Sequence, residues 1–246
     1  MRRSLFLRLL LVTGGLAQLN GCKADAPAAD HEAASADSAR HPPPQLVVGP
    51  ELCLDAGYLC AGLAEREDPR VLRWSPQTGQ VHVYIPRPPL ESRSQAIALQ
   101  DAAARGILAW NNKPLSIRIH RGEDLSEPDI VLRWAEGLGG TELGRAETVW
   151  NRSADGSVSI RVQDFVLALR DPTDPGRILD REAIQLAAAH EMGHVLGLPH
   201  SDSERDVMYP TNSASALSAR DYRTLSALYD LPNGAVLSPE VLESLR

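Results

Sequence analysis

With 246 residues, 43% of them hydrophobic, the chain can bury one core of ordinary domain size and still has length for tails. Its 32 acidic against 25 basic side chains give a formal net charge of −7, and no basic patch interleaved with aromatics stands out. That balance excludes a nucleic-acid partner.

In chain order, the first feature is a targeting segment. Met1 to Arg8 holds three arginines and Leu9 to Leu19 is mostly apolar. The run is too short to span a bilayer and suits the core of an export signal over residues 1–21. It ends in Leu19-Asn20-Gly21-Cys22, which resembles a bacterial lipobox. Cys22 is therefore expected to be lipidated and to anchor the exported chain to a membrane, with a plain secretory signal cut nearby as the alternative. Lys23 stands where aspartate would argue for inner-membrane retention, so the expected place is the outer membrane, on its periplasmic or cell-surface side. Residues 22–47 are rich in Ala, Asp, Ser and Pro and end near Pro42-Pro43-Pro44. They bury too little apolar surface to offset ordering, which predicts a flexible tether.

In the segment 48–69, Cys53 and Cys60 form an even pair once Cys22 is set aside, which in an exported protein predicts a disulfide closing a small loop. Val81, Val83 and Ile85 alternate with His82 and Tyr84, a strand stopped by Pro86, Pro88 and Pro89. Ala96, Leu99, Ala103, Ile107 and Trp110 fall at helical spacing and predict a long amphipathic helix ending near Asn111-Asn112 and Pro114. Leu115, Ile117 and Ile119 alternate again, and Ile130-Val131-Leu132 is a short buried-strand candidate. The glycines between Gly137 and Ala146 let the backbone lie close to another group, or form an ordinary flexible loop. A turn at Asp155-Gly156 precedes the alternating Val158, Ile160 and Val162, and Asp171 to Gly176 reads as a loop.

Asp180 is a good N-cap for a helix from about Arg181 to Leu196. Within it, His190 and His194 are four apart and share one face, and Glu191 leans over the same spot. Gly197 can take the left-handed conformation that ends the helix, Pro199 cannot continue it, and the turn can bring His200 round as a third nitrogen ligand. Three neutral imidazoles leave one tetrahedral position open for water. After a short polar loop comes Asp206-Val207-Met208-Tyr209-Pro210. Ser218 N-caps a last main helix reaching about Tyr229, and residues 232–246 add a Pro-Asn-Gly turn and a short helix.

The run His190-Glu191-x-x-His194-x-x-Gly197-x-x-His200, with Met208 downstream, resembles the zinc signature and Met-turn of the metzincin peptidases. Ser201 and Met208-Tyr209-Pro210 are similar to the matrixins, the matrix-metalloproteinase family. The resemblance implies an α+β, zincin-like catalytic domain over residues 70–231. Its parts would be a twisted mixed sheet, a long helix, an active-site helix and a C-terminal helix, with Trp74 and Trp110 in the core. It implies one catalytic Zn2+ on His190, His194 and His200, with Glu191 as general base and Met208 as an apolar floor. Pro210 to Asn212 would wall the pocket for the residue after the scissile bond. Leu143, Gly144, Arg145 and Ala146 would form the edge strand that pairs with an extended protein or peptide substrate.

Matrixins also hold a second, structural zinc. Here His82 and His120 are the spare histidines of the domain, both in strand-like runs, and no His-x-Asp run lies between Trp134 and Val158, so that zinc is not expected. Ca2+ stays open, because carbonyl-rich loops bind it without a readable motif. The matrixin propeptide plugs its zinc with a thiolate. Cys53 or Cys60 could do so only unpaired, and Pro-Arg-Cys-Gly is absent. The expectation is a monomeric, lipid-anchored zinc endopeptidase. Two alternatives stand: a noncatalytic zinc-containing surface binding module, which would not need Glu191, and a hydrolase of cell-wall peptide with the same chemistry.

Overall fold

The computed structural model describes residues 47–112, 115–123, 126, 128–211 and 213–245. The export signal 1–21, Cys22, nearly all of the tether and Asn212 lie outside the described residues. The N-terminal piece is β1 (Val47–Val48), α1 (Pro50–Cys53) and α2 (Leu59–Ala64). Next come β2 (Gln80–Tyr84), the long helix α3 (Arg93–Leu108), β3 (Arg118–Gly122), β4 (Ile130–Val131) and β5 (Arg133–Ala135). A long hairpin of β6 (Gly144–Arg152) and β7 (Val158–Ala168) is followed by a small one of β8 (Arg170–Asp171) and β9 (Asp174–Ile178). Then follow α4 (Arg181–Leu196), α5 (Ala219–Asp230), β10 (Val236–Leu237) and α6 (Pro239–Ser244).

Strand β2 pairs in parallel with β3 on one side and β4 on the other. Strand β5 pairs in parallel with β7, and β6 runs antiparallel to β7 as an edge. Only the buried Leu132 separates β4 from β5, and its amide donates to the Tyr84 carbonyl at 2.9 Å. The β3-β2-β4 sheet therefore leads into the β5-β7-β6 sheet through one continuous stretch of chain. Along β2 the fully buried Val81 and Val83 alternate with the half-buried His82 and Tyr84, as period-two patterning requires.

Helices α3 and α4 pack on each other through small residues. Ser92 caps α3, its hydroxyl accepting from the Gln95 amide, and Ala96, Leu99, Ala102, Ala103 and Ile107 are buried. Asp180 caps α4 by accepting from the Ala183 amide at 2.9 Å. Two tryptophans donate their indole N–H to carbonyls of α4: Trp110 to Ala189 at 2.9 Å and Trp74 to Val195 at 3.0 Å.

The structure departs from the sequence reading at residues 171–176 and at both flanks of the domain, and β6 runs on past Ala146 to Arg152. The segment 171–176, expected as a loop, belongs to the β8–β9 hairpin, with Asp171 opposite Asp174. The Asp171 carboxylate accepts from the Thr173 amide at 2.8 Å and hydroxyl at 2.6 Å, closing a side-chain turn around Pro172. The flanks expected outside the 70–231 domain also join its core. β1 pairs in parallel with β10, and Val48, Tyr58, Leu59, Leu63, Leu237 and Val241 belong to the same buried cluster as α3 and α4. Cys53 and Cys60 are disulfide-bonded, with their Cα atoms 5.8 Å apart. Neither is therefore a free thiolate.

Candidate metal and active site

The three expected ligands meet. His190 and His194 stack one turn apart on α4, their ring centroids 4.8 Å apart. The helix ends where the Gly197 backbone takes φ +106°, and its amide reaches back to the Gly193 and His194 carbonyls. A side chain at 197 could not follow that path, because its Cβ would stand 1.9 Å from the Leu72 carbonyl oxygen. The chain then reverses through Leu198 and Pro199 and delivers His200.

The Nε2 atom of His194 lies 3.1 Å from that of His190 and 3.2 Å from that of His200. Tetrahedral zinc at about 2.0–2.1 Å from each nitrogen spaces its ligands at about 3.3 Å. Both separations from His194 match that, and the three ligand atoms all lie within 4.8 Å of one another, so three imidazole nitrogens suit the ion. The opposite ring nitrogens fix the tautomer. His190 Nδ1 donates to the Val207 carbonyl at 2.7 Å and His194 Nδ1 to the Leu198 carbonyl at 3.0 Å. Carbonyls only accept, so the protons sit on Nδ1 and the Nε2 lone pairs face the centre. Burial, above all, pulls the pKa of all three histidines below the usual imidazole range. Each is then a neutral ligand near pH 7. Among the described residues these are the three His, Cys, Asp or Glu side chains whose ligand atoms converge. His82 and His120 face each other across β2 and β3 with ring centroids 5.8 Å apart, and Asp129 Oδ2 is 3.6 Å from His82 Nδ1.

Glu191 is buried beside the triad, under β6. Burial pushes its pKa up to about 8, against a backbone hydrogen bond from Ala146 that lowers it. Close approach is what Gly144 provides: a Cβ there would lie 2.5 Å from Glu191 Cγ. Leu143, Gly144, Arg145 and Ala146 line the same cleft of about 400 Å³ as the three histidines and Glu191, and Pro210 and Thr211 line it too. Met208 is fully buried, and its sulfur lies over Gly193, next to the ligand His194. Cys22 lies outside the described residues, and the disulfide belongs to the N-terminal segment that includes α2.

Sequence reading missed the supports behind the ligands. The Val207 amide donates to Asp221 Oδ2 at 2.9 Å, and the Tyr58 hydroxyl donates to Asp221 Oδ1 at 2.9 Å. Asp221 thus ties the N-terminal segment to the turn that orients His190. Asp206 accepts from the Ser201 hydroxyl at 2.5 Å, the Ser218 hydroxyl at 2.6 Å and Arg220 at 3.0 Å. The Ser218-x-x-Asp221 capping box was visible as a pattern, but its second use on Val207 was not.

The family model for Matrixin matches residues 139–230, which run from the loop before β6 to the end of α5. Over 52 residues the chain is 42% identical to macrophage metalloelastase of Rattus norvegicus. That stretch is 19% of this chain and 11% of the relative, so the chain spans about a tenth of the length of the curated protein it matches. The matched region is matrixin-like, and it contains the three histidines, Glu191 and Met208.

Proposed function

We propose that this chain, matrixin-like over residues 139–230, is a zinc-dependent endopeptidase. The observation that carries the reading is the convergence of three Nε2 lone pairs beside a buried carboxyl, under a sheet edge open to a peptide. His190, His194 and His200 would hold the zinc, which when bound would supply a Lewis acid and a bound water acidified to a pKa of about 7. Glu191 takes the proton from the attacking water and passes it to the leaving amine. Burial raises its pKa to about 8 and the hydrogen bond from the Ala146 amide opposes the rise, which brings the carboxyl's proton exchange toward neutrality. The free edge of β6 offers main-chain donors and acceptors at alternate residues to an extended substrate, and Pro210 and Thr211 wall the cleft. We propose further that Cys22 carries a lipid anchor and that residues 22–47 tether the domain to a bacterial outer membrane. Loss of membrane association in Cys22→Ser, read by fractionation, tests that part.

The test of the chemistry is cleavage of a quenched peptide library by soluble residues 23–246 beside Glu191→Ala, with zinc per chain measured on both. One zinc per chain in each protein and cleavage by the wild type alone supports the endopeptidase. Zinc in both with no cleavage by either favours a binding module or a hydrolase of another peptide class. A folded wild type that takes up no zinc overturns the reading.

A further inference from the structure

The metal cleft does not stop at Ala146. Beyond it opens a second hollow of about 260 Å³, which shares Ala146 and His194 with the first and is walled by Leu72, Thr148, Ile160 and Gly197. Arg66, six residues after the disulfide loop closes at Cys60, completes the lining. Its Nη2 donates to the Leu198 carbonyl at 3.1 Å and the Gly197 carbonyl at 3.4 Å, which holds the guanidinium at the C-terminal end of α4. Its Nε and Nη1 donate to nothing among the described residues. No buried side-chain nitrogen there lacks a partner, so these two remain accessible. Burial alone pulls the guanidinium's pKa down, with no acidic neighbour pulling it back. The adjacent Glu65 is exposed and acts on His200 instead. In a chain of net charge −7, a partly desolvated cation with no carboxylate among the described residues needs an account. Capping two carbonyls explains Nη2 and leaves the other donors unused.

We propose that this hollow is a subsite for one carboxylate-bearing side chain of the substrate, glutamate above all, and that Arg66 is the residue that reads it. The inference rests on the endopeptidase reading. A peptide laid along β6 advances about 3.3 Å per residue with side chains alternating, so one side chain at a fixed offset from the scissile bond enters the hollow. Leu72, Ile160 and Ala146 cover its methylene stem, and Arg66 meets its carboxylate with charge-assisted hydrogen bonds. The volume lies below the usual range for a small-molecule pocket, about 300–1,000 Å³, and suits a side chain. Thr148 stands on the exposed face of β6 at the same hollow, clear of the α4 cap.

The experiment is a matched peptide series with Glu, Gln or Lys moved one position at a time around a fixed cleavable bond, using the zinc-loaded soluble chain. At one position kcat/KM is expected to be tenfold or more higher for Glu than for Gln, and lowest for Lys. Arg66→Gln should abolish the preference. Thr148→Glu should abolish it too and turn it toward Lys, which keeps the test valid where the loss of Arg66 disturbs folding. Equal rates for Glu and Gln at every position in the wild type, or an unchanged preference in Thr148→Glu, overturn the proposal. Cleavage of the Gln peptide by the wild type and not by Glu191→Ala reports the endopeptidase reading separately. Fluorescence anisotropy of the same peptides on zinc-loaded Glu191→Ala reads the hollow without turnover: tenfold tighter binding of the Glu peptide supports it, and equal binding overturns it.

Discussion

The sulfur of Met208 fills the space that a side chain on residue 193 would need: a Cβ on Gly193 would stand 2.2 Å from Met208 Sδ and 3.0 Å from Trp110 Cζ2. The floor under the ligands therefore touches α4 at bare backbone, one residue before His194. Gly193→Ala must displace Met208, Trp110 or the helix. Overpacking of this kind costs about 1–3 kcal/mol, and a shift of the ligand helix should weaken zinc binding by about tenfold or more. Thermal unfolding with and without zinc, and chelator competition, check both. Met208→Leu conserves volume and should cost less than about 1.5 kcal/mol. Zinc affinity unchanged in Gly193→Ala would show that the floor does not set the ligands.

Asp221 is fully buried and serves Tyr58, Val207 and Ser218 at once. Asp221→Ala leaves two amides and a phenol without their acceptor, an expected loss of about 3 kcal/mol or more. Tyr58→Phe removes one of the three bonds and should cost about 1–3 kcal/mol. Denaturant titrations give both values, and zinc affinity should fall more in Asp221→Ala, because Val207 orients His190. Equal zinc affinities in the two variants would argue against that path.

The disulfide closes a short loop, with the cysteines seven positions apart. The loop-entropy model gives about 2–3 kcal/mol for a loop of this size. Cys53→Ser with Cys60→Ser should lower stability by about that much. Because Tyr58 inside the loop and Arg66 just after it reach Asp221 and the Leu198 carbonyl, peptide cleavage should become more heat-sensitive than in the wild type. Unfolding curves and residual activity after heating decide it.

The Thr173 hydroxyl and amide, then Arg177, hold the Asp171 carboxyl at about 2, below its ordinary 3.8. A folded-state pKa below the unfolded one means that the ionised form stabilises the hairpin. That contribution is complete above 3.8, declines as pH falls toward about 2 and is absent below it. Asp171→Asn should therefore melt below the wild type at pH 5, with the gap closing by pH 2. A gap independent of pH would place the effect elsewhere.

How far the sequence carried depends on whether a feature was local. The 190–200 run and Met208 are legible because helix geometry converts spacing into convergence, and the two helix caps at Asp180 and Ser218 are one-turn patterns. Strand β6 was read only to Ala146, since Glu147 to Arg152 are exposed throughout and show no alternation for a core to impose. The β8–β9 hairpin escaped because Pro172 and Pro175 read as loop residues, while a small hairpin tolerates prolines at its turn and edge. The Tyr58–Asp221 bond and the Arg66 cap on α4 escaped because their partners lie 131 to 163 residues apart, beyond any periodicity.

The acceptors that orient His190 and His194 are the carbonyls of Val207 and Leu198. Every amino acid has a carbonyl, so no substitution at 207 or 198 can delete either bond. What aims the two imidazoles is the path of the main chain, and mutational drift at those two positions is filtered for size and backbone shape alone. The site is thus buffered against error at the points where its ligands are held, and exposed to it at glycines 144, 193 and 197, where one added carbon displaces the path itself.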